Sequence, residues 1–213
     1  MPEIAVVDYG MGNLRSVAKA LEHVAEGQHV IVTSDAKAIE NADRVVFPGQ
    51  GAARDCMKEL SERQLSNVVL KAAREKPFLG ICMGMQVLLS HSEENQGIDC
   101  LGMYPGEVRF FGNELKDDQG EKLKIPHMGW NGVQHKKNHP LWQNIAEGSR
   151  FYFVHSYYID PEDQAIVEAT TDYGFEFVSA IGRDNVFAVQ FHPEKSAQDG
   201  LQLLKNFSKW NGQ

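Results

Sequence analysis

The stretch from residue 78 to residue 90 constrains the fold most, because it predicts a buried strand, a tight turn and a helix in immediate succession. Residues 78–81 form a short apolar run after a proline, which is typical of a central parallel strand buried on both faces. Residues 83–90 have the length and apolar spacing of a helix that packs on a sheet. The segment therefore predicts an α/β fold with Cys82 at the apex of a strand-to-helix turn.

Cys82 lies between Gly80 and Gly84, in the G-x-nucleophile-x-G pattern of a nucleophile elbow. So sharp a turn strains its apex residue and brings strand and helix so close that a side chain at either glycine would collide. The helix N-terminus would stabilise a thiolate, and the amide of Met83 is a candidate oxyanion donor. Gln86, one helical turn further on, can face the same pocket. The alternative is that Cys82 is a small core residue.

A candidate general base follows a second predicted strand, residues 185–191. Pro193 keeps the chain extended there, so His192 and Glu194 point to the same side. A histidine held in this way can accept the thiol proton, while the carboxylate fixes its tautomer. Members of a catalytic triad need not be neighbours in sequence. The alternative is an ordinary surface turn that happens to contain a histidine and a glutamate.

The loop after a third predicted strand, residues 44–47, contains Pro48-Gly49-Gln50-Gly51. Glycines at the carboxyl end of a strand leave backbone amides accessible at the edge where α/β proteins keep their sites. Gly49, Gln50 and Gly51 are therefore candidate backbone donors to an oxyanion. The alternative is a plain glycine-rich turn.

The order of predicted elements indicates a mostly parallel sheet flanked by helices, followed by an antiparallel extension. The first half alternates strands and helices, whereas the second half has short strands with little helix between them. The predicted strands are 4–8, 29–32, 44–47, 78–81, 106–111, 133–134, 150–155, 165–171, 177–181 and 185–191, and the predicted helices are 14–25, 36–41, 52–63, 65–74, 83–90 and 200–210. We expect residues 1–213 to form a single domain.

Composition excludes several classes of function. A formal charge of −8 argues against nucleic-acid binding as the main role. The three cysteines have neither metal-ligand spacing nor the pattern of a disulfide framework, so no metal or other cofactor is predicted. The N-terminus lacks the features of a signal peptide, and no apolar run reaches membrane-spanning length. We therefore expect a cytoplasmic protein without membrane contact.

Three motifs together resemble those of the triad-type (class I) glutamine amidotransferases. They lie at residues 48–51, 80–86 and 190–194, in the order of that family and across nearly the whole chain. The resemblance implies the fold of that family and hydrolysis of glutamine to glutamate and ammonia by Cys82, His192 and Glu194. It also implies a glutamine pocket lined by Gln86, Glu94, His155, Ser156 and Tyr157. One departure is Gln50, where the family more often has an aliphatic residue; this matters little if the loop acts through its backbone.

Two further stretches, residues 8–14 and 126–131, resemble the family members that serve imidazole glycerol phosphate synthase. The resemblance implies a heterodimer in which ammonia passes to a separate (β/α)₈-barrel cyclase subunit. That subunit forms imidazole glycerol phosphate and AICAR in histidine biosynthesis. The implied docking residues are Asn13, His127, Met128, Trp130, Asn131 and Lys195. Trp130 also suits an interface anchor on chemical grounds, since Trp is enriched at hot spots, although it could be a half-buried core aromatic.

Three other functions stay open at this point. The chain could be the glutaminase subunit of another amidating synthase, such as one that acts on surface sugars. A catalytically silent binding protein would be expected to lack the pair His192 and Glu194, and both are present. A cysteine peptidase would need a cleft that holds a polypeptide.

Overall fold

A computed structural model describes all of residues 1–213. The strands are β1 Glu3–Val7, β2 His29–Thr33, β3 Arg44–Gly49, β4 Phe78–Cys82, β5 Leu89–Ser92, β6 Ile98–Asp99, β7 Tyr104–Phe110, β8 His127–Gly132, β9 Gln134–His135, β10 Arg150–His155, β11 Tyr157–Pro161, β12 Val167–Asp172, β13 Glu176–Arg183 and β14 Val186–Val189. The α-helices are α1 Leu14–Val24, α2 Ala36–Asn41, α3 Ala53–Glu62, α4 Ser66–Glu75, α5 Met83–Gln86 and α6 Ala197–Lys209.

The main sheet is parallel at its centre and mostly antiparallel at one side. Strands β2, β1, β3, β4 and β14 lie side by side in that order, and all of these pairs are parallel. The sheet continues through β13, β11, β7, β5 and β6, where only the pair of β5 and β7 is parallel. Strands β4 and β14 are buried along their whole length, as expected of central strands covered on both faces. The predicted fold class is confirmed.

Amphipathic helices cover this sheet with the faces that their sequences predict. On α1 the residues Val17, Ala18 and Leu21 are buried, and Val17 and Leu21 belong to one apolar cluster together with residues of α6. The helices α3 and α4 contribute to a second cluster with other residues of the sheet. Full burial of one such aliphatic side chain contributes about 1.5–3 kcal/mol. The carboxyl ends of the central strands are thereby held in a rigid layer.

The predicted helix at residues 83–90 is wrong in its second half. Helix α5 ends at Gln86, and β5 begins at Leu89 and pairs with β6 and β7. The amide of Leu101 donates to the carbonyl of Val87, so the chain turns into the sheet directly after the helix. Residues 87–89 are all apolar and buried, and a short apolar run of this kind does not distinguish a helix from a strand.

Two strands next to the candidate site were not predicted. Strand β8 pairs antiparallel with β10 in a small separate sheet, and β11 pairs with β7 and β13. Gly129 and Gly132 weaken the strand signal of β8. No helix in the structure is both long and apolar enough to span a membrane.

Candidate active site

The three sequence motifs meet because their strands are neighbours in the sheet. Strands β3, β4 and β14 are parallel, with Gly49 opposite Cys82 and Ile81 opposite Val189. The loop after β3, the turn after β4 and the segment that leads from β14 to His192 therefore leave the sheet at the same edge. This edge is the usual position of sites in parallel α/β proteins.

The turn at Cys82 has the strained backbone that its glycines indicate. Cys82 has φ 54° and ψ −109°, a conformation that residues with a side chain rarely adopt. A Cβ atom at Gly84 would lie 1.9 Å from the carbonyl oxygen of Phe47, and one at Gly80 would lie 2.8 Å from the carbonyl oxygen of Gly84. Glycine is therefore required on both sides of Cys82, because backbone atoms occupy the space of a side chain.

His192 and Glu194 form a buried pair next to Cys82. Nδ1 of His192 lies 2.9 Å from Oε1 of Glu194, and both side chains are almost completely buried. Because a carboxylate only accepts, Nδ1 of His192 carries the proton of this hydrogen bond. Nε2 of the same ring is buried and has no hydrogen-bond partner, so it is free to exchange a proton with a reacting group.

The charges around His192 favour its protonated form. Burial alone disfavours the imidazolium, but the negative charges of Cys82 and Glu194 outweigh it and raise the pKa of His192 from 6.5 to about 10. His192 is therefore an imidazolium at neutral pH when Cys82 is a thiolate. A thiolate at Cys82 would thus face an imidazolium, which pairs an activated nucleophile with a general acid.

Two glutamine side chains pack beneath Cys82, and one of them was not predicted as a site residue. Gln190 is completely buried, and its Nε2 lies 3.6 Å from Sγ of Cys82. Its Oε1 accepts a hydrogen bond of 3.0 Å from Nε2 of Gln86. The signal in the sequence was a polar residue at the end of an apolar strand, two positions before His192 and hence on the same side.

A cavity of about 410 Å³ opens over Cys82. Such a volume suits a small molecule, since ligand pockets enclose roughly 300–1,000 Å³. All five residues expected in a glutamine pocket line it: Gln86, Glu94, His155, Ser156 and Tyr157. The lining also includes Pro126 and Val154, which were not predicted.

Glu94 supplies a carboxylate to this cavity. Its Oε2 accepts a hydrogen bond of 2.7 Å from the amide of Ala53, at the start of α3. Burial raises the pKa of Glu94, while the hydrogen bond from Ala53 opposes that rise. A carboxylate in this position could bind the amino group of an amino acid.

The residues expected in the oxyanion hole do not all reach the cavity. Gln50, Gly51 and Met83 line it. Met83 is the first residue of α5, so its amide has no acceptor within the helix. Gly49 is not among the lining residues, and a Cβ atom there would come 2.3 Å from the hydroxyl of Tyr9 and 2.8 Å from Cβ of Met83.

The residues expected to dock a partner fall into two groups. Met128 and Trp130 are 65% and 44% exposed on β8, and the rings of Trp130 and Tyr152 pack edge to face. Lys195 lies over the same Tyr152 ring and also lines the cavity. We call Met128, Trp130 and Lys195 the β8 surface.

The other expected docking residues lie less openly. Asn13 precedes α1 and Asn131 is at the end of β8, and both are partly exposed. The ring of His127 is only 3% exposed and lies beneath the β8 surface rather than on it. His127 therefore has a different environment from Met128 and Trp130, although it is in the same strand.

Comparison with known proteins identifies the family. The family model described as class-I glutamine amidotransferase matches residues 5–210. This chain belongs to that family. The amidotransferase is 61% identical over 208 residues to the imidazole glycerol phosphate synthase subunit HisH of Dechloromonas aromatica, with 97% of this chain and 96% of the relative covered. It is 57% identical over 212 residues to the subunit of the same name from Pseudomonas syringae, with 100% and 99% covered.

Solved structures have the same fold at low sequence identity. The structure of PurLQS from Thermotoga maritima matches the amidotransferase with a TM-score of 0.71 at 20% identity, and 97% of each chain is covered. These comparisons confirm the resemblance on which the family was predicted.

Proposed function

We propose that this amidotransferase is the glutaminase subunit of imidazole glycerol phosphate synthase. It would hydrolyse glutamine and deliver ammonia to a (β/α)₈-barrel cyclase that forms imidazole glycerol phosphate and AICAR, with residues 1–213 acting as one domain. The observation that carries the proposal is the 2.9 Å hydrogen bond between His192 and Glu194, beside Cys82 at the floor of the cavity.

The first half of the reaction is transfer of the acyl group. The thiolate of Cys82 attacks the side-chain carbonyl carbon of glutamine, and the carbonyl electrons move onto oxygen. The amides of Met83 and of the Gln50–Gly51 loop are the candidate donors to this oxyanion. Nε2 of His192 then gives its proton to the leaving nitrogen, so ammonia departs and a thioester remains on Cys82.

The second half returns the enzyme to its starting state. Nε2 of His192 now lacks a proton and accepts one from water, which attacks the thioester. Glutamate leaves, and Cys82 is again a thiolate opposite an imidazolium. Glutamine and water have then become glutamate and ammonia. Throughout, Glu194 holds the tautomer of His192 and stabilises its positive charge without itself transferring a proton.

One chemical argument and two observations support a separate protein as the acceptor of ammonia. Free ammonia diffuses away and protonates, and the full-length relatives are named as subunits of a synthase. The β8 surface exposes Met128 and Trp130, and its Lys195 lines the cavity; exposed apolar residues of this kind suit a protein interface.

The deciding experiment measures glutamate release from the amidotransferase alone, with the candidate cyclase, and with the cyclase plus its ribotide substrate. The proposal predicts the highest rate in the third case, together with formation of imidazole glycerol phosphate. A chain that is stimulated only by another amidating synthase would contradict the proposed partner but not the glutaminase reaction. Cleavage of casein without hydrolysis of glutamine would contradict both.

A further inference from the structure

Two buried histidines lie between the cavity and the β8 surface, and the reaction steps above use neither of them. The antiparallel pairing of β8 and β10 sets His127 directly opposite His155. Nδ1 of His127 lies 2.9 Å from Nε2 of His155, and both side chains are buried. Hydrogen bonds at the outer ring atoms extend this pair in both directions.

The neighbours of the two rings determine which nitrogen carries each proton. Nδ1 of His155 lies 2.8 Å from the carbonyl oxygen of Tyr157, which only accepts, so this nitrogen donates. In a neutral ring Nε2 of His155 then accepts, and Nδ1 of His127 must be the donor to it. Nε2 of His127 accepts in turn from Nδ2 of Asn131, at 3.3 Å.

The amide of Asn131 is itself fixed. Its Nδ2 also donates to the carbonyl of Asp172 at 2.7 Å, and its Oδ1 accepts from the amide of Gly132 at 2.8 Å. The amide of Asn131 therefore cannot flip, and neither histidine ring can change its tautomer, without the loss of a hydrogen bond. The hydrogen-bonded series of Asn131, His127, His155 and the Tyr157 carbonyl therefore has one consistent arrangement of donors and acceptors.

Packing keeps both rings neutral and in place. His127 is stacked between Tyr173 and Phe153, with ring centroids 4.0 and 4.8 Å away. Burial lowers the pKa of His127 from 6.5 to about 4 and that of His155 to about 3. At neutral pH each ring is one donor and one acceptor, as the hydrogen bonds require.

At the cavity the series continues to the nucleophile. The carbonyl oxygen of Tyr157 accepts a second hydrogen bond, of 3.0 Å, from Nε2 of Gln86. Gln86 also donates to Gln190, whose Nε2 lies 3.6 Å from Sγ of Cys82. An unbroken set of hydrogen bonds thus joins Asn131 at the end of β8 to the floor of the cavity.

We propose that His127 is a positioning residue, which holds through His155 the carbonyl of Tyr157 and the amide of Gln86 beneath a bound glutamine. The inference rests on the proposed function, because it concerns the same glutamine pocket. The same hydrogen bonds also connect the strand that carries the β8 surface to the glutamine pocket. Side chains alternate along β8, so Met128 and Trp130 point outward while His127 and Asn131 point inward. A partner that moves this strand would move the hydrogen-bonded set.

Two substitutions at His127 separate positioning from packing. His127→Phe keeps a ring between Tyr173 and Phe153 but leaves Nε2 of His155 without a donor. His127→Asn removes the ring but can keep a donor near the place of Nδ1. A hydrogen-bonding role predicts that Phe is the more damaging change, whereas a packing role predicts that Asn is.

The probe is diazo-oxo-norleucine, a glutamine-like electrophile, with iodoacetamide as a control for the intrinsic reactivity of Cys82. In the isolated chain we expect His127→Phe to slow labelling by the glutamine analogue about tenfold relative to labelling by iodoacetamide. The Asn variant should lie between Phe and wild type. Equal rates in all three proteins, or an Asn variant slower than Phe, would overturn the proposal.

Asn131→Ala provides a second test if the Phe variant does not fold, because Asn131 is partly exposed. It removes the donor to His127 and should slow the same labelling by a few-fold. No change in this variant would contradict the role of the set. Failure of the wild-type protein to react with the glutamine analogue even in the presence of the synthase partner would instead contradict the proposed function, so the two failures are distinguishable.

Discussion

Gly84 lies against the backbone of Phe47 so closely that a Cβ atom would come within 1.9 Å of the Phe47 carbonyl oxygen. Helix α5 therefore approaches β3 at a distance that only glycine permits. The contact holds the loop after β3 and the turn at Cys82 in a fixed relation. Both halves of the candidate oxyanion hole depend on this distance.

Gly84→Ala should therefore move α5 and remove glutaminase activity. We expect a loss of at least about 1–3 kcal/mol in the free energy of unfolding, the usual cost of overpacking. The measurement is urea unfolding together with glutamine hydrolysis in the presence of the synthase partner. Gly120→Ala is the control, because Gly120 has open space at its Cβ position; unlike Gly84 it has a positive φ, so the control itself includes some backbone strain. If Gly84→Ala loses no more stability and activity than Gly120→Ala, the close approach of α5 to β3 does not matter.

The sequence predicted this part of the site because its signal is local. Gly80, Cys82 and Gly84 define the turn within five residues, and the neighbouring strands follow from the α/β pattern. The contacts of Gln190 and His127 could not be predicted in the same way. They depend on which strands are neighbours, on the pairing of β8 with β10, and on a strand that two glycines disguise.

Glu194→Gln should reduce activity less than Cys82→Ala or His192→Ala. The amide oxygen of the new Gln side chain can still accept a hydrogen bond from Nδ1 of His192. In contrast, Cys82→Ala removes the nucleophile that bonds to the substrate, and His192→Ala removes the group that transfers the proton. Values of kcat for the three variants in the presence of the partner test this order. A loss from Glu194→Gln as large as that from His192→Ala, with the fold intact, would contradict the supporting role.

The same Glu194→Gln variant should also change the pH dependence. The negative charge of Glu194 helps to raise the pKa of His192, so its removal lowers that pKa. The alkaline limb of the activity, where the imidazolium loses its proton, should therefore move to lower pH. A shift to higher pH, or no shift, would mean that Glu194 does not stabilise the charge on His192.

His127 and His155 should make the protein less stable in mild acid. Their folded-state pKa values of about 4 and about 3 lie below the ordinary value of 6.5. The unfolded chain therefore binds protons below pH 6.5 that the folded chain does not, and stability falls as the pH drops from 6.5 towards 4. At pH 5 each of these buried neutral rings lowers the free energy of unfolding by up to about 2 kcal/mol.

Urea unfolding at pH 7 and pH 5 measures this loss. Between pH 7 and pH 5, the free energy of unfolding of His127→Phe should fall by about 2 kcal/mol less than that of the wild type. His23→Asn, at an exposed position of α1, controls for the removal of a histidine in general. An equal loss in the wild type and His127→Phe would show that His127 is not buried as a neutral ring.

The isolated amidotransferase should be a poor glutaminase that its synthase partner activates. The glycines of the loop after β3 allow a peptide plane to turn its amide towards or away from the oxyanion. A partner can favour one state only through contacts that differ between the two. One oxyanion donor is worth roughly 10²–10³ in kcat, so activation by the partner and its ribotide should reach that range. Equal rates for the free chain and the complex would mean that the loop is preformed.

The central claim is that Cys82 carries the acyl group during glutamine hydrolysis. The direct measurement is mass spectrometry of peptides after treatment with diazo-oxo-norleucine, with glutaminase activity followed in parallel. The account predicts one modified residue, Cys82, and loss of activity in proportion to its labelling. Modification of Cys56 or Cys100 in place of Cys82, or full activity in Cys82→Ala, would contradict it.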